Sequence, residues 1–213
     1  MRLHLPSFGL GNRPDALLAL LRGGRRAAIV LNAKDGSPEE SRARSLAQET
    51  KALAGLGLET QELDLRDHFD EPKRLEDALA GLDLLWVRGG NAFVLRRAMR
   101  RSGLDEVLPE LLARDAIVYG GFSAGACVLA PSMRGYETVD DPDAVPEGYD
   151  SATVWEGLGV LPYALAPHYR SDHPESAAVE RLVQRFIDDH VLFRALRDGE
   201  AIVVDGERHE VVG

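Results

Sequence analysis

The sequence is short of cysteine, of basic residues and of long apolar runs. A single cysteine, Cys127, occurs in 213 residues, so no internal disulfide can form and a disulfide-stapled scaffold is excluded. Lys and Arg number 25 against 35 Asp and Glu, for a net charge of −10. An acidic surface repels phosphate backbones and anionic lipid, which argues against nucleic acid and membrane partners. No apolar stretch approaches the ~20 residues that span a bilayer. The opening MRLHLPSFGLGNRPD lacks the apolar core of a secretory signal, so a cytoplasmic location is expected. There is no internal repeat and no low-complexity linker. The glycine-rich GLGNRP at 9–14 ends in proline and no Walker pattern exists, which leaves no nucleotide-binding fingerprint. His168, Asp172 and His173 match no known ligand spacing and no further cluster stands out, so a bound metal is not expected.

What is there is a globular composition, 45% apolar and 28% charged, in a length that suits one domain over 1–213. Short β-type runs alternate with helical patterns. Strands are predicted at 25–31, 58–65, 82–87, 116–119 and 163–167. Helices are predicted at 38–53, with Ser37 as N-cap and Glu39 and Glu40 in the first turn, and at 72–80, 91–101, 104–114 and 174–190. Residues 201–204 and 207–212 flank Asp205-Gly206 and read as a terminal hairpin. Residues 131–157, rich in Asp, Pro, Gly and Tyr, read as a long loop or lid over the sheet edge. Strands separated by helices predict an α/β fold: three layers, α/β/α, around a mostly parallel sheet. Ligands in such folds bind beyond the carboxyl ends of the strands. The glycine-rich turns at 89–90 and 120–125 both lie at such ends.

The second of these turns, Gly121-Phe122-Ser123-Ala124-Gly125, fits the G-x-S-x-G nucleophile elbow. A sharp strand-to-helix turn strains the serine backbone and leaves no room for flanking side chains. Ser123 would then sit at a helix N-terminus, where free N–H groups and the helix dipole favour negative charge. A plain glycine-rich turn with Ser123 as N-cap explains the same five residues. A serine nucleophile needs an imidazole base oriented by a carboxylate. Of six histidines, His168 is the best candidate, because it follows the apolar YALAP run and should emerge at the same sheet edge as Ser123. His190 reads as a favourable charge at a helix end, and His173 as the start of the 174–190 helix. Asp198 and Asp205 are both candidates for the orienting acid, with a slight preference for Asp198. The N–H groups of Gly90 and Ala124 would form an oxyanion hole, and Asn91 caps the next helix or faces substrate. Cys127, one turn beyond Ser123, reads as a buried structural residue.

These pieces, in this order, resemble the peptidase E family of serine peptidases, the alpha-aspartyl dipeptidases, with cyanophycinases as more distant relatives. VRGGNAFVL, YGGFSAGA, APHY and LRDGEAIVV carry the resemblance. It implies a Ser123–His168–Asp198 triad, and so decides between the two acids. It also implies a fold like that of class I glutamine amidotransferases (flavodoxin-like), with serine in place of their cysteine, and no cofactor. The family reads an acidic substrate side chain partly through an arginine early in the helix after the histidine; that position here is Ala177. Arg170 and Arg134 are the nearby alternatives for substrate binding. The expected protein is a serine peptidase of dipeptides or tripeptides, Asp-first substrates among the candidates, working as monomer or homodimer. The alternative is a non-catalytic peptide-binding or sensing domain on the same scaffold.

Overall fold

A computed structural model describes all 213 residues. Seven strands form the main sheet: β1 (Arg2–Pro6), β2 (Arg26–Val30), β3 (Glu59–Glu62), β4 (Leu84–Val87), β5 (Val118–Gly121), β8 (Ala201–Asp205) and β9 (Arg208–Val212). Their spatial order is β3-β2-β4-β5-β1-β8-β9. The first five run parallel, and β8 and β9 close the far side antiparallel. A separate parallel pair, β6 (Ala164–Ala166) and β7 (Phe193–Ala195), stands apart from it.

The layers follow from alternation along the central strands, which are buried on both faces. On one face Ala27, Ile29, Leu84, Trp86 and Val118 pack with Leu17, Leu20 and Leu21 of α1 (Pro14–Leu21) and Leu53 of α2 (Glu39–Ala54). On the other, Ala28, Val30, Leu85, Val87 and Tyr119 join a larger core. That core draws on α3 (Pro72–Leu79), α4 (Ala92–Ser102), α5 (Leu104–Ala113) and α7 (Ser176–Asp188). No helix is long and apolar enough to cross a membrane.

Several local expectations need correction. Pro38, not Ser37, occupies the N-cap of α2, and no side chain caps that helix. The strand predicted over 58–65 stops at Glu62, and Leu65–His68 forms a 3-10 turn. The terminal hairpin turns on Gly206-Glu207, because Asp205 and Arg208 pair. Helix α7 ends at Asp188, short of His190, and begins three residues after His173. Ile187, in its last turn, is 52% exposed. The 163–167 run forms its strand but pairs only with β7, not with the main sheet. Strand β1, helix α1 and strand β7 were not foreseen.

Residues 131–157 are irregular apart from a short turn at Tyr136–Thr138 and are fastened from beneath by α4. The Arg97 guanidinium, itself buried, donates to the carbonyls of Pro142 (2.8 Å), Asp150 (3.1 Å) and Ala144 (3.3 Å) and to Thr153 Oγ1 (3.1 Å). Arg96 donates to the Glu156 carbonyl at 3.0 Å. These five cross-contacts make the segment a fixed wall rather than a free flap.

Candidate active site

Parallel strands deliver their carboxyl ends to one rim. β1 ends there at Ser7, β2 at 31–37, β4 at Gly89-Gly90-Asn91 and β5 at Ser123. Strand β8 runs the other way, with Ala201 opposite Pro6, so the residues just before it, Asp198 included, reach the same rim.

Ser123 adopts φ 51° and ψ −123°, a left-handed conformation that an L-residue holds only under constraint. The constraint is backbone packing. A Cβ on Gly125 would lie 2.2 Å from the Val87 carbonyl oxygen, and one on Gly121 would lie 3.0 Å from it. Gly89 abuts the serine directly: a Cβ there would sit 2.7 Å from Ser123 Cβ. The helix after the elbow, α6 (Ala124–Cys127), is a single turn, so its summed dipole is slight and the individual N–H groups matter more. Neither the Ala124 nor the Gly90 N–H donates to a main-chain oxygen. Asn91 caps α4, its Oδ1 accepting from Phe93 and Val94, and its Nδ2 donates to the Asp141 carbonyl at 2.9 Å. Buried Cys127 has its thiol pushed up by burial.

His168 is 1% exposed. Its Nδ1 lies 2.7 Å from Asp198 Oδ1. An ionised carboxylate only accepts, so Nδ1 carries the proton and Nε2 keeps its lone pair. Ser7, absent from the sequence reading, braces the pair: its hydroxyl donates to Asp198 Oδ1 at 2.7 Å and accepts the His168 N–H at 2.8 Å. The Asp198 N–H donates to Ser171 Oγ at 2.8 Å. Asp205, the other acid considered, pairs with Arg22 at 3.1 Å instead.

Ser123 and His168 line one small cavity with Ala124, Asp140 and Glu175, and no hydrogen bond joins Ser123 Oγ to the imidazole. Burial lowers the pKa of His168, and its bond to Asp198 opposes that shift. His173 stacks flat on His168, centroids 3.7 Å apart and planes 7° apart. Phe8 meets both rings edge-on or tilted. His168, His173 and Glu175 form the one group of three potential metal ligands. Imidazole lone pairs lie in the ring plane, so two stacked rings do not converge on one ion.

Arg170 and Arg134 stand elsewhere. Arg170 lies 3.8 Å from Glu180 and over the Tyr169 ring. Arg134 lies over Trp155 and lines a different cavity. Ala177 is on the first turn of α7. A larger cavity of about 500 Å³ adjoins, walled by 33–37, Gly90, Asn91, Val94, Asp140, 144–146 and Glu175. A signal for Ser7 was present in RLHLPS, a polar residue ending a short alternating run; His173 stood out only as a helix start and beside His168, and Glu175 gave no signal.

The sequence profile of Peptidase family S51 matches residues 32–212. The chain belongs to that family. It is 32% identical to a peptidase E of Streptomyces coelicolor over 200 residues, 91% of this chain and 74% of that one. It is 33% identical over 144 residues to a probable alpha-aspartyl dipeptidase of Drosophila melanogaster, 65% of this chain and 56% of that one. The fold matches a putative peptidase E protein from Listeria monocytogenes with a TM-score of 0.80 at 23% identity, covering 99% and 97% of the two chains. A peptidase from an acI-B1 Actinobacterium gives 0.70 at 16% identity, covering 100% and 87%. Family S51 membership makes the chain a peptidase, a serine-peptidase-like hydrolase that acts on short peptides.

Proposed function

We propose that Ser123, His168 and Asp198 form the catalytic triad of this peptidase. The observation that carries the reading is the strained Ser123 sharing a cavity with a buried imidazole whose Nδ1–H is held by Asp198. His168 Nε2 takes the proton as Ser123 Oγ attacks the scissile carbonyl, and Asp198 steadies the imidazolium. The Gly90 and Ala124 N–H groups donate to the oxyanion, each worth ~3 kcal/mol in the transition state. His168 returns the proton to the leaving amine. Water, deprotonated by the same imidazole, then releases the acyl group. The segment over the rim limits substrates to short peptides, dipeptides and tripeptides. The mixed sheet and elbow suit a class I glutamine amidotransferase-like scaffold with serine as nucleophile. A fluorophosphonate probe is expected to label the wild-type chain and not Ser123→Ala, and the variant is expected to hydrolyse no peptide. Equal labelling of both overturns the triad and leaves the alternative of a peptide-binding domain without turnover.

A further inference from the structure

The main sheet has two outer strands, and their edges differ in charge. One is β3, whose residues Glu59, Thr60, Gln61 and Glu62 offer two carboxylates and no cation. Like charges along an edge repel a second copy and guard it against pairing. The other is β9, which carries both signs, with Arg208, Glu210 and Val211 exposed. The hairpin fixes which of its backbone groups turn outward. Asp205 and Arg208 close a two-residue loop, so they form a hydrogen-bonded pair, and bonded and non-bonded pairs alternate from there. Arg208, Glu210 and Val212 therefore bond to β8. The N–H and C=O groups of His209 and Val211 face away from it, and no main-chain group within residues 1–213 pairs with them.

We propose that the outer edge of β9 pairs antiparallel with the same edge of a second copy of this chain, across a two-fold axis at His209. Charge selects that register among those centred from Arg208 to Val211. Centred on Arg208 or Glu210, two like charges stand face to face. Centred on Val211, Glu210 faces a valine. Centred on His209, Arg208 faces Glu210 of the partner subunit, and the two-fold axis repeats the contact. Both contacts then fall at non-hydrogen-bonded positions, where opposing side chains come closest. Arg208 and Glu210 already pair along their own strand, so the seam holds four charges of alternating sign. Such a self-complementary patch is what a two-fold interface requires. The two sheets join into one, and their Ser123 rims point in opposite directions. Arg208 and Glu210 belong to neither cavity wall, so the pairing is independent of the triad reading.

Sedimentation velocity over a range of protein concentrations tests the seam. The wild-type chain is expected to show a monomer–dimer equilibrium. Arg208→Glu and Glu210→Arg each set like charges at both contacts, and each is expected to weaken the dimer about tenfold or more. An equimolar mixture of the two variants is expected to restore it, because every reversed charge then meets its opposite. The double variant Arg208→Glu/Glu210→Arg keeps the net charge, exchanges the partners and is expected to dimerise like the wild type. A wild-type chain that stays monomeric at every concentration overturns the inference. So does a dimer that neither reversal weakens, since its contact then lies on another face. A mixture that dimerises no better than either variant alone overturns it too, because the loss then comes from net charge and not from the facing pairs.

Discussion

The Ser7 hydroxyl serves two partners at once, accepting the His168 N–H and donating to Asp198 Oδ1. Alanine at position 7 leaves the buried His168 N–H without its acceptor and takes one of two donors from Asp198 Oδ1, a loss of about 1–3 kcal/mol. Ser7→Ala is expected to lower kcat about tenfold or more, with KM little changed, because Ser7 positions the proposed base and is not part of either cavity wall; steady-state kinetics separates the two constants. The pH profile is a second check. With the His168 pKa lowered by burial, the acid limb of kcat/KM is expected below pH 6.5. His173, stacked on it, adds to the lowering, so His173→Phe keeps the stack and moves the limb upward. A limb at or above 6.5 in the wild type contradicts the burial. Ser123 and its glycines were legible because their message is local, five adjacent residues that describe one turn. Ser7 lies 161 residues from His168, and no window of sequence shows a brace of that reach.

At the scale of elements, α4 is both a core helix and an anchor. Arg97 spans five oxygens of the 131–157 segment, and its loss leaves partly buried carbonyls without their donor at roughly 1–3 kcal/mol. Arg97→Met keeps the apolar stem. It is expected to open that segment to protease cleavage between 141 and 153 while the sheet stays intact, and to raise KM, since 140 and 144–146 wall the cleft. Limited proteolysis with mass mapping reads the first effect; cleavage unchanged from wild type counts against it. Strands β2, β4 and β5 could be read from sequence because they are buried on both faces and give unbroken apolar runs. Strand β1 alternates polar His4 with leucines and ends in proline, and three-residue β6 and β7 are too short for any periodicity. The apolar run before His168 was legible as a strand, but its partner was not, since pairing is decided by distant chain.

At the scale of the whole molecule, two buried groups set opposing slopes of stability against pH. His4 is fully buried, its Nδ1 without a partner, and burial lowers its pKa from 6.5 to about 4. Between those values the unfolded chain binds the extra proton, so stability present above pH 6.5 is lost as pH falls toward 4, roughly 3 kcal/mol in all. Asp140, raised to about 7, works the other way: the folded chain holds the proton, and stability is lost as pH rises from 3.8 toward 7. Asp140 keeps some contact with solvent, so the His4 effect is the larger. Denaturant midpoints measured from pH 4 to 7 are expected to rise steeply in Asp140→Asn and to flatten or reverse in His4→Gln. Equal slopes in the two variants and the wild type contradict the assignment. The family and the three-layer plan were legible from motif order and alternation; these counterpoised charges were not, because burial is a property of the assembled fold.

Strand β1 precedes every other strand of the sheet in sequence yet lies inside it, between β5 and β8. Its register joins residues 2–4 to 118–120 and residues 2–6 to 201–205. Residues 2–6 therefore stay unpaired on one side until residues 201–205 have been made. The proton relay waits with it, since Ser7, His168 and Asp198 meet only when that seam closes. A polypeptide cut short before residue 198 keeps the elbow of Ser123 but has no carboxylate to hold the His168 imidazole.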